Sequence, residues 1–119
     1  MCGIAGYFGN KKISLSNIRS TLSLMINRGP DSKNFKTFLS DNINVTLLHS
    51  RLSIIDLNKR SNQPFVYNDK ILVFNGEIYN YLELKDHLIG KNYIFKTNSD
   101  TEVLIKLYDC YGENMFPYL

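Results

Sequence analysis

Apolar positions along this chain switch between the two-residue period of strands and the three-to-four-residue period of helices. The run Ile4–Phe8, punctuated by Gly3, Gly6 and Gly9, predicts a buried strand that another backbone approaches closely. Leu15, Ile18, Leu22, Met25 and Ile26 then recur at helical spacing behind Ser14, until Arg28-Gly29-Pro30 ends the run. Phe35–Leu39 and Asn44–His49 read as two strands of a hairpin turned by Ser40-Asp41-Asn42. Asp56–Asn68 is polar and holds Pro64, which predicts a loop, and Lys70–Phe74 predicts a strand stopped by Asn75-Gly76.

Two helix starts follow, each a polar cap with a Glu three residues on. Asn80 with Glu83 opens a helix carrying Leu82, Leu84, Leu88 and Ile89 to Gly90. Ser99 with Glu102 opens another, whose stripe of Val103, Leu104, Leu107, Tyr108 and Tyr111 runs to Gly112. Tyr93–Lys96 between them reads as one more strand. This order of elements predicts either a mixed α+β or a layered α/β arrangement.

Composition narrows the picture. A length of 119 residues fits one domain, and an apolar fraction of 44% supplies a core and excludes a disordered chain. The net charge of +3 divides unevenly: nine Lys/Arg against three Asp/Glu in residues 1–60, then five against eight. Lys11-Lys12 and Lys59-Arg60 are isolated pairs, so no basic cluster suggests a nucleic-acid partner. No apolar stretch approaches the ~20 residues of a membrane span, and the first residues lack the basic region of a signal peptide, which predicts a cytoplasmic protein. Cys2 and Cys110 are too few for a disulfide framework and too far apart for a metal pair. The apolar ending Met115–Leu119 suggests a cut through something larger.

Cys2 is the first candidate for chemistry. Removal of Met1 would put a thiol and an α-amine on one residue, and an α-amine has an unperturbed pKa of ~7.7–8.0, close to cellular pH. Such an amine accepts the thiol proton directly or through water, with no separate His. By position alone Cys2 is either this nucleophile or a small strand residue. Asn75-Gly76 is either a plain turn or a pair of N–H donors for an oxyanion; the residues after it, Glu77-Ile78-Tyr79-Asn80, begin a helix rather than a returning strand. Arg51 is either a surface cation or a bidentate grip for a carboxylate, and Asp100 sits in a helix first turn, where a carboxylate is electrostatically favoured and can be purely structural. His49 reads as a packed residue and His87 as a surface one. Cys110 reads as a buried structural thiol, and Tyr7, Phe8 and Phe74 as core.

Six motifs occur in order: Met1-Cys2-Gly3-Ile4-Ala5-Gly6, Arg28-Gly29-Pro30-Asp31, His49-Ser50-Arg51-Leu52-Ser53-Ile54-Ile55-Asp56, Gln63-Pro64, Asn75-Gly76-Glu77-Ile78-Tyr79-Asn80 and Ser99-Asp100-Thr101-Glu102. Together they closely resemble the N-terminal glutaminase domain of the glutamine-hydrolysing asparagine synthetases, within the class II, N-terminal nucleophile (Ntn) amidotransferases. The resemblance covers essentially the whole chain; Asn27 stands where the family often has His. It implies an αββα four-layer sandwich, here C-terminally incomplete, with residues 1–119 a partial glutaminase domain and the synthetase domain absent. It implies glutamine as the ligand, Cys2 as the nucleophile of a γ-glutamyl thioester, and Asn75 with Gly76 as the oxyanion hole. Arg51 would hold the α-carboxylate, Glu77 and Asp100 the α-ammonium, and Ile54 would line the pocket.

No cofactor is expected in this stretch; ATP and magnesium belong to the missing synthetase domain, the expected partner within the full-length protein. Two other readings stand beside it. One is an amidotransferase serving another acceptor, such as a sugar in surface-polysaccharide synthesis; the other is a non-catalytic truncated fragment.

Overall fold

The computed structural model describes residues 1–119, and its organising strand is the central one of three. In chain order the elements are β1 (Gly3–Gly9), α1 (Leu15–Leu24), β2 (Ser32–Ser40), β3 (Ile43–Arg51), β4 (Phe65–Tyr67), β5 (Lys70–Leu72), α2 (Tyr81–Ile89) and α3 (Asp100–Tyr111). Short 3-10 turns cover Lys59–Ser61 and Gly112–Tyr118. Asp41 and Asn42 both take positive φ, 47° and 64°, the backbone that a two-residue hairpin turn demands. That turn sets the β2–β3 register from Ser40↔Ile43 to Ser32↔Arg51. β1 pairs antiparallel with the other edge of β3, from Gly3↔Ser50 to Gly9↔Asn44, giving the order β1-β3-β2.

Two apolar clusters hold this α+β architecture. Helix α1 lies on one face of the three-stranded sheet, and its Ile18 and Leu22 close on Leu48. The larger cluster gathers Ile78, Leu84, Leu88, Val103, Leu104, Leu107 and Met115, from α2, α3 and the segments flanking them. The β4–β5 hairpin, registered Phe65↔Leu72, lies against α3. The two groups meet where His49 of β3 reaches the Phe74 carbonyl. No helix is long and apolar enough to cross a membrane.

Several elements differ from the sequence pattern. β1 is an edge strand rather than a buried one: Ile4 is 48% exposed and Phe8 68%, so Phe8 is not core. What crowds Gly3 is the Met25 side chain, not a neighbouring backbone. The predicted loop Asp56–Asn68 contains β4, whose Phe-Val-Tyr run is short but of strand composition. β5 stops at Leu72, earlier than its apolar run suggests. Asn80 opens α2 without capping it; its Nδ2 donates instead to the Tyr118 carbonyl at 2.8 Å. Gly90 keeps right-handed φ of −60°, and the left-handed residue that turns the chain is Asn92. Ser99 does cap α3, accepting from the Thr101 N–H.

Tyr93–Lys96 is not a strand, because side chains replace the missing ladder. The buried Glu102 carboxylate accepts from the N–H groups of Lys96 and Thr97 and from the Thr97 hydroxyl. Lys106, equally buried, pairs with Glu102 at 2.6 Å, donates to the Ile94 carbonyl and lies over the Phe95 ring. Burial raises the Glu102 pKa, but these donors outweigh it and hold the carboxyl below its usual value. Cys110 is half-buried against the larger cluster, and His87 is exposed beside Tyr111.

Candidate active site

The first functional side chain is placed by a glycine that nothing else can replace. A Cβ on Gly29 would fall inside the Ser50 carbonyl and the Arg51 N–H, both backbone, so the chain after α1 lies directly on the end of β3. The Ser50 hydroxyl donates to the Gly29 carbonyl at 2.5 Å, and the Asp31 N–H to the Arg51 carbonyl at 3.0 Å. Flanking residues exploit that contact. Arg28 Nε donates to the Cys2 carbonyl at 3.1 Å, and the Asp31 carboxylate accepts from the Ser53 N–H at 2.7 Å. Arg28-Gly29-Pro30-Asp31 therefore holds the backbone of Cys2 and the segment after β3 in fixed relation. Cys2 itself is half-buried, its Sγ 3.4 Å from the Leu52 N–H.

Arg51, at the end of β3, is buried and heavily engaged. Nη1 donates to the Asn58 carbonyl and the Asn62 Oδ1, and Nη2 to the carbonyls of Ile55 and Asp56. Four of its five N–H groups are thus spent on a loop, and Nε–H is left without a protein acceptor. The loop is fastened at its far side too. Asp56, with φ of 48°, accepts from the Asn98 N–H at 2.8 Å, from Asn58 N–H at 3.1 Å, and faces Arg60. The Asn98 bond is the main reason its carboxyl is lowered to about 2.

Beyond β5 the chain carries Asn75, half-buried, and Gly76 and Glu77, exposed. The Asn75 amide and the Gly76 N–H make no hydrogen bond within the protein. Asp100, buried in the first turn of α3, accepts from the Ile78 N–H at 3.3 Å, which ties this segment to the helix. All seven sequence-predicted site residues line one cavity of about 290 Å³: Cys2, Arg51, Ile54, Asn75, Gly76, Glu77 and Asp100. Arg51, Glu77 and Asp100 bring charge of both signs to its wall, and none of them is in an ion pair. Ile54 sits at the rim, 72% exposed. No group of three His, Cys, Asp or Glu is gathered as a metal ion would require.

The wall also holds residues that sequence reasoning assigned no role. Gln63 is buried, its Oε1 accepting from the Phe74 N–H at 2.6 Å and its Nε2 donating to Thr101 Oγ1 at 3.1 Å. Its only signal was the Gln63-Pro64 pair among the six ordered motifs. Met1 and Tyr79 line the opening as well. His49 is almost fully buried, with Nε2 3.3 Å from the Phe74 carbonyl.

The cavity thus brings a thiol, unengaged N–H donors and charges of both signs onto one wall. The family model described as "Glutamine amidotransferase domain" matches residues 1–119, and the chain belongs to that family. It is 38% identical over 95% of its length to asparagine synthetase [glutamine-hydrolyzing] 1 of Bacillus subtilis, and 40% over 91% to asparagine synthetase B of Escherichia coli. It is also 36% identical over its whole length to a Gibberella zeae protein named as an amidase. The chain spans about a fifth of the length of these curated relatives.

Proposed function

We propose that this chain hydrolyses the side-chain amide of glutamine through a Cys2 thioester and supplies the ammonia to a synthetase. The observation that carries the reading is one cavity wall holding a thiol, two unengaged N–H donors and three unpaired charges of the signs a zwitterion needs. Removal of Met1, which stands in that wall, frees the α-amine of Cys2. The amine takes the thiol proton, Sγ bonds to the amide carbon, and the Asn75 amide and Gly76 N–H receive the oxyanion. Collapse of the adduct breaks the C–N bond, and the amine returns its proton to the departing ammonia. Water then attacks the thioester, releasing glutamate and restoring the thiol.

Arg51 contributes Nε–H and its positive field to the α-carboxylate, and Glu77 and Asp100 face the α-ammonium. The α1–sheet–sheet–helix succession is read as part of a four-layer sandwich. Two asparagine synthetases among the relatives favour aspartate as the final acceptor, with ATP and magnesium serving a separate domain of the full-length protein. The relative named as an amidase fits amide hydrolysis as the chemistry of this domain.

The test is glutamate release from glutamine by the natural protein after mass analysis has verified Cys2 as its first residue. Cys2→Ser abolishes release, and Asn75→Ala lowers kcat by about 10²–10³. Absence of turnover in a folded sample with a free N-terminal Cys overturns the proposal.

A further inference from the structure

Asn75 and Gly76 lie past the end of β5, where no strand ladder fixes their position. The residue just before them is held instead by two side chains. Gln63 Oε1 accepts from the Phe74 N–H at 2.6 Å, and His49 Nε2 donates to the Phe74 carbonyl at 3.3 Å. The two come from different places: His49 from near the end of β3, Gln63 from the segment leading into β4. Gln63 also donates to Thr101 Oγ1 at 3.1 Å, next to Asp100 in α3. We infer that His49 and Gln63 are positioning residues for amide hydrolysis, clamping the Phe74 peptide so that Asn75 and Gly76 present their donors at a fixed place. This inference rests on the proposed oxyanion role of Asn75 and Gly76.

The chemistry of both side chains supports a clamp rather than filler. His49 Nδ1 is buried without a partner, a cost that an apolar residue of similar size would not carry. The Phe74 bond is the one polar service its ring performs, and that bond requires the proton on Nε2. Burial keeps the ring neutral, lowering its pKa to about 4. Gln63 spends its amide oxygen on the strand and its amide nitrogen on the helix, so one side chain sets the spacing between the two. Small displacements of an oxyanion donor are costly, because the donor must meet charge as it develops.

The test compares apolar and conservative variants in the natural full-length protein. His49→Leu and Gln63→Leu each lower kcat for glutamine hydrolysis by about 10- to 100-fold, with KM changed less than about two-fold. His49→Gln, which keeps a donor for the Phe74 carbonyl, restores kcat to within about three-fold of the natural protein. Hydrogen exchange at the Phe74 amide, followed in peptides spanning residues 73–78, accelerates in the two Leu variants alone, a readout independent of turnover. Unchanged exchange in both Leu variants, or an effect confined to KM, overturns the clamp. Asn75→Ala separates the two readings. Full activity in that variant overturns the oxyanion role, whereas full activity in the Leu variants beside an impaired Asn75→Ala overturns only the clamp.

Discussion

Gly29 shows how a single residue sets the geometry of this site. Its missing Cβ is what lets the chain after α1 lie on the Ser50–Arg51 backbone, and both obstructing groups are main chain and cannot swing away. Gly29→Ala is therefore expected to destabilise the fold by about 3 kcal/mol, the upper end for forced overpacking, as urea unfolding would measure. His49 gives a pH signature. Burial lowers its pKa to about 4, opposed by the bond to Phe74 and reinforced by the Arg51 charge. Between pH 6.5 and about 4 the unfolded chain binds a proton that the folded chain refuses. Stability falls with pH across that window by on the order of 3 kcal/mol, then levels off. Melting temperature against pH should show this slope in the natural protein and lose it in His49→Gln. Such roles are hard to read in a sequence. Cys2, Asn75, Gly76 and Asp100 each had a plain structural reading as well, and it was the order of the six motifs that singled them out for the wall of one cavity. The roles of Gln63 and His49 were not legible, because a buried amide or imidazole is defined by partners distant along the chain.

At the scale of elements, local pattern was a good guide wherever an element's hydrogen bonds are its own. The β2–β3 hairpin, α1 and α3 follow from their turn, cap and stripe residues, since helices and tight hairpins close within a few residues. The pattern failed for Tyr93–Lys96, whose alternation is strand-like but whose backbone is satisfied by Glu102 and Lys106 one helical turn apart. It failed at Asn80 for a related reason: a side chain able to cap found a carbonyl near the end of the chain. The Glu102–Lys106 pair thus stands in for a strand, with both members 2% exposed. Glu102→Ala leaves a buried ammonium without its counter-ion and two N–H groups without acceptors, and a loss of about 3–5 kcal/mol is expected in denaturant unfolding. Hydrogen exchange should locate the damage at Lys96 and Thr97 before it reaches the body of α3.

For the molecule as a whole, the cavity lies where two separately packed groups meet. Cys2, Arg51 and Ile54 come from the sheet that α1 covers, or from the loop leaving it; Asn75, Gly76, Glu77 and Asp100 come from the side built on α2 and α3. The sequence pointed to residues that line this cavity, but not to two packed groups. Nor did it reveal that connections between the groups are polar, His49 to Phe74 and Asp56 to Asn98 among them. The smaller cluster has three fully buried apolar members and the larger has seven. A modest dose of denaturant should therefore part the two groups while most helix and strand survives. On the proposed reading, glutamine turnover disappears at a lower urea concentration than far-ultraviolet circular dichroism, and returns fully on dilution. Coincident midpoints would mean that the two groups behave as one cooperative unit. On the proposed reading, catalytic competence is a property of docking, to be lost and recovered without the chain unfolding.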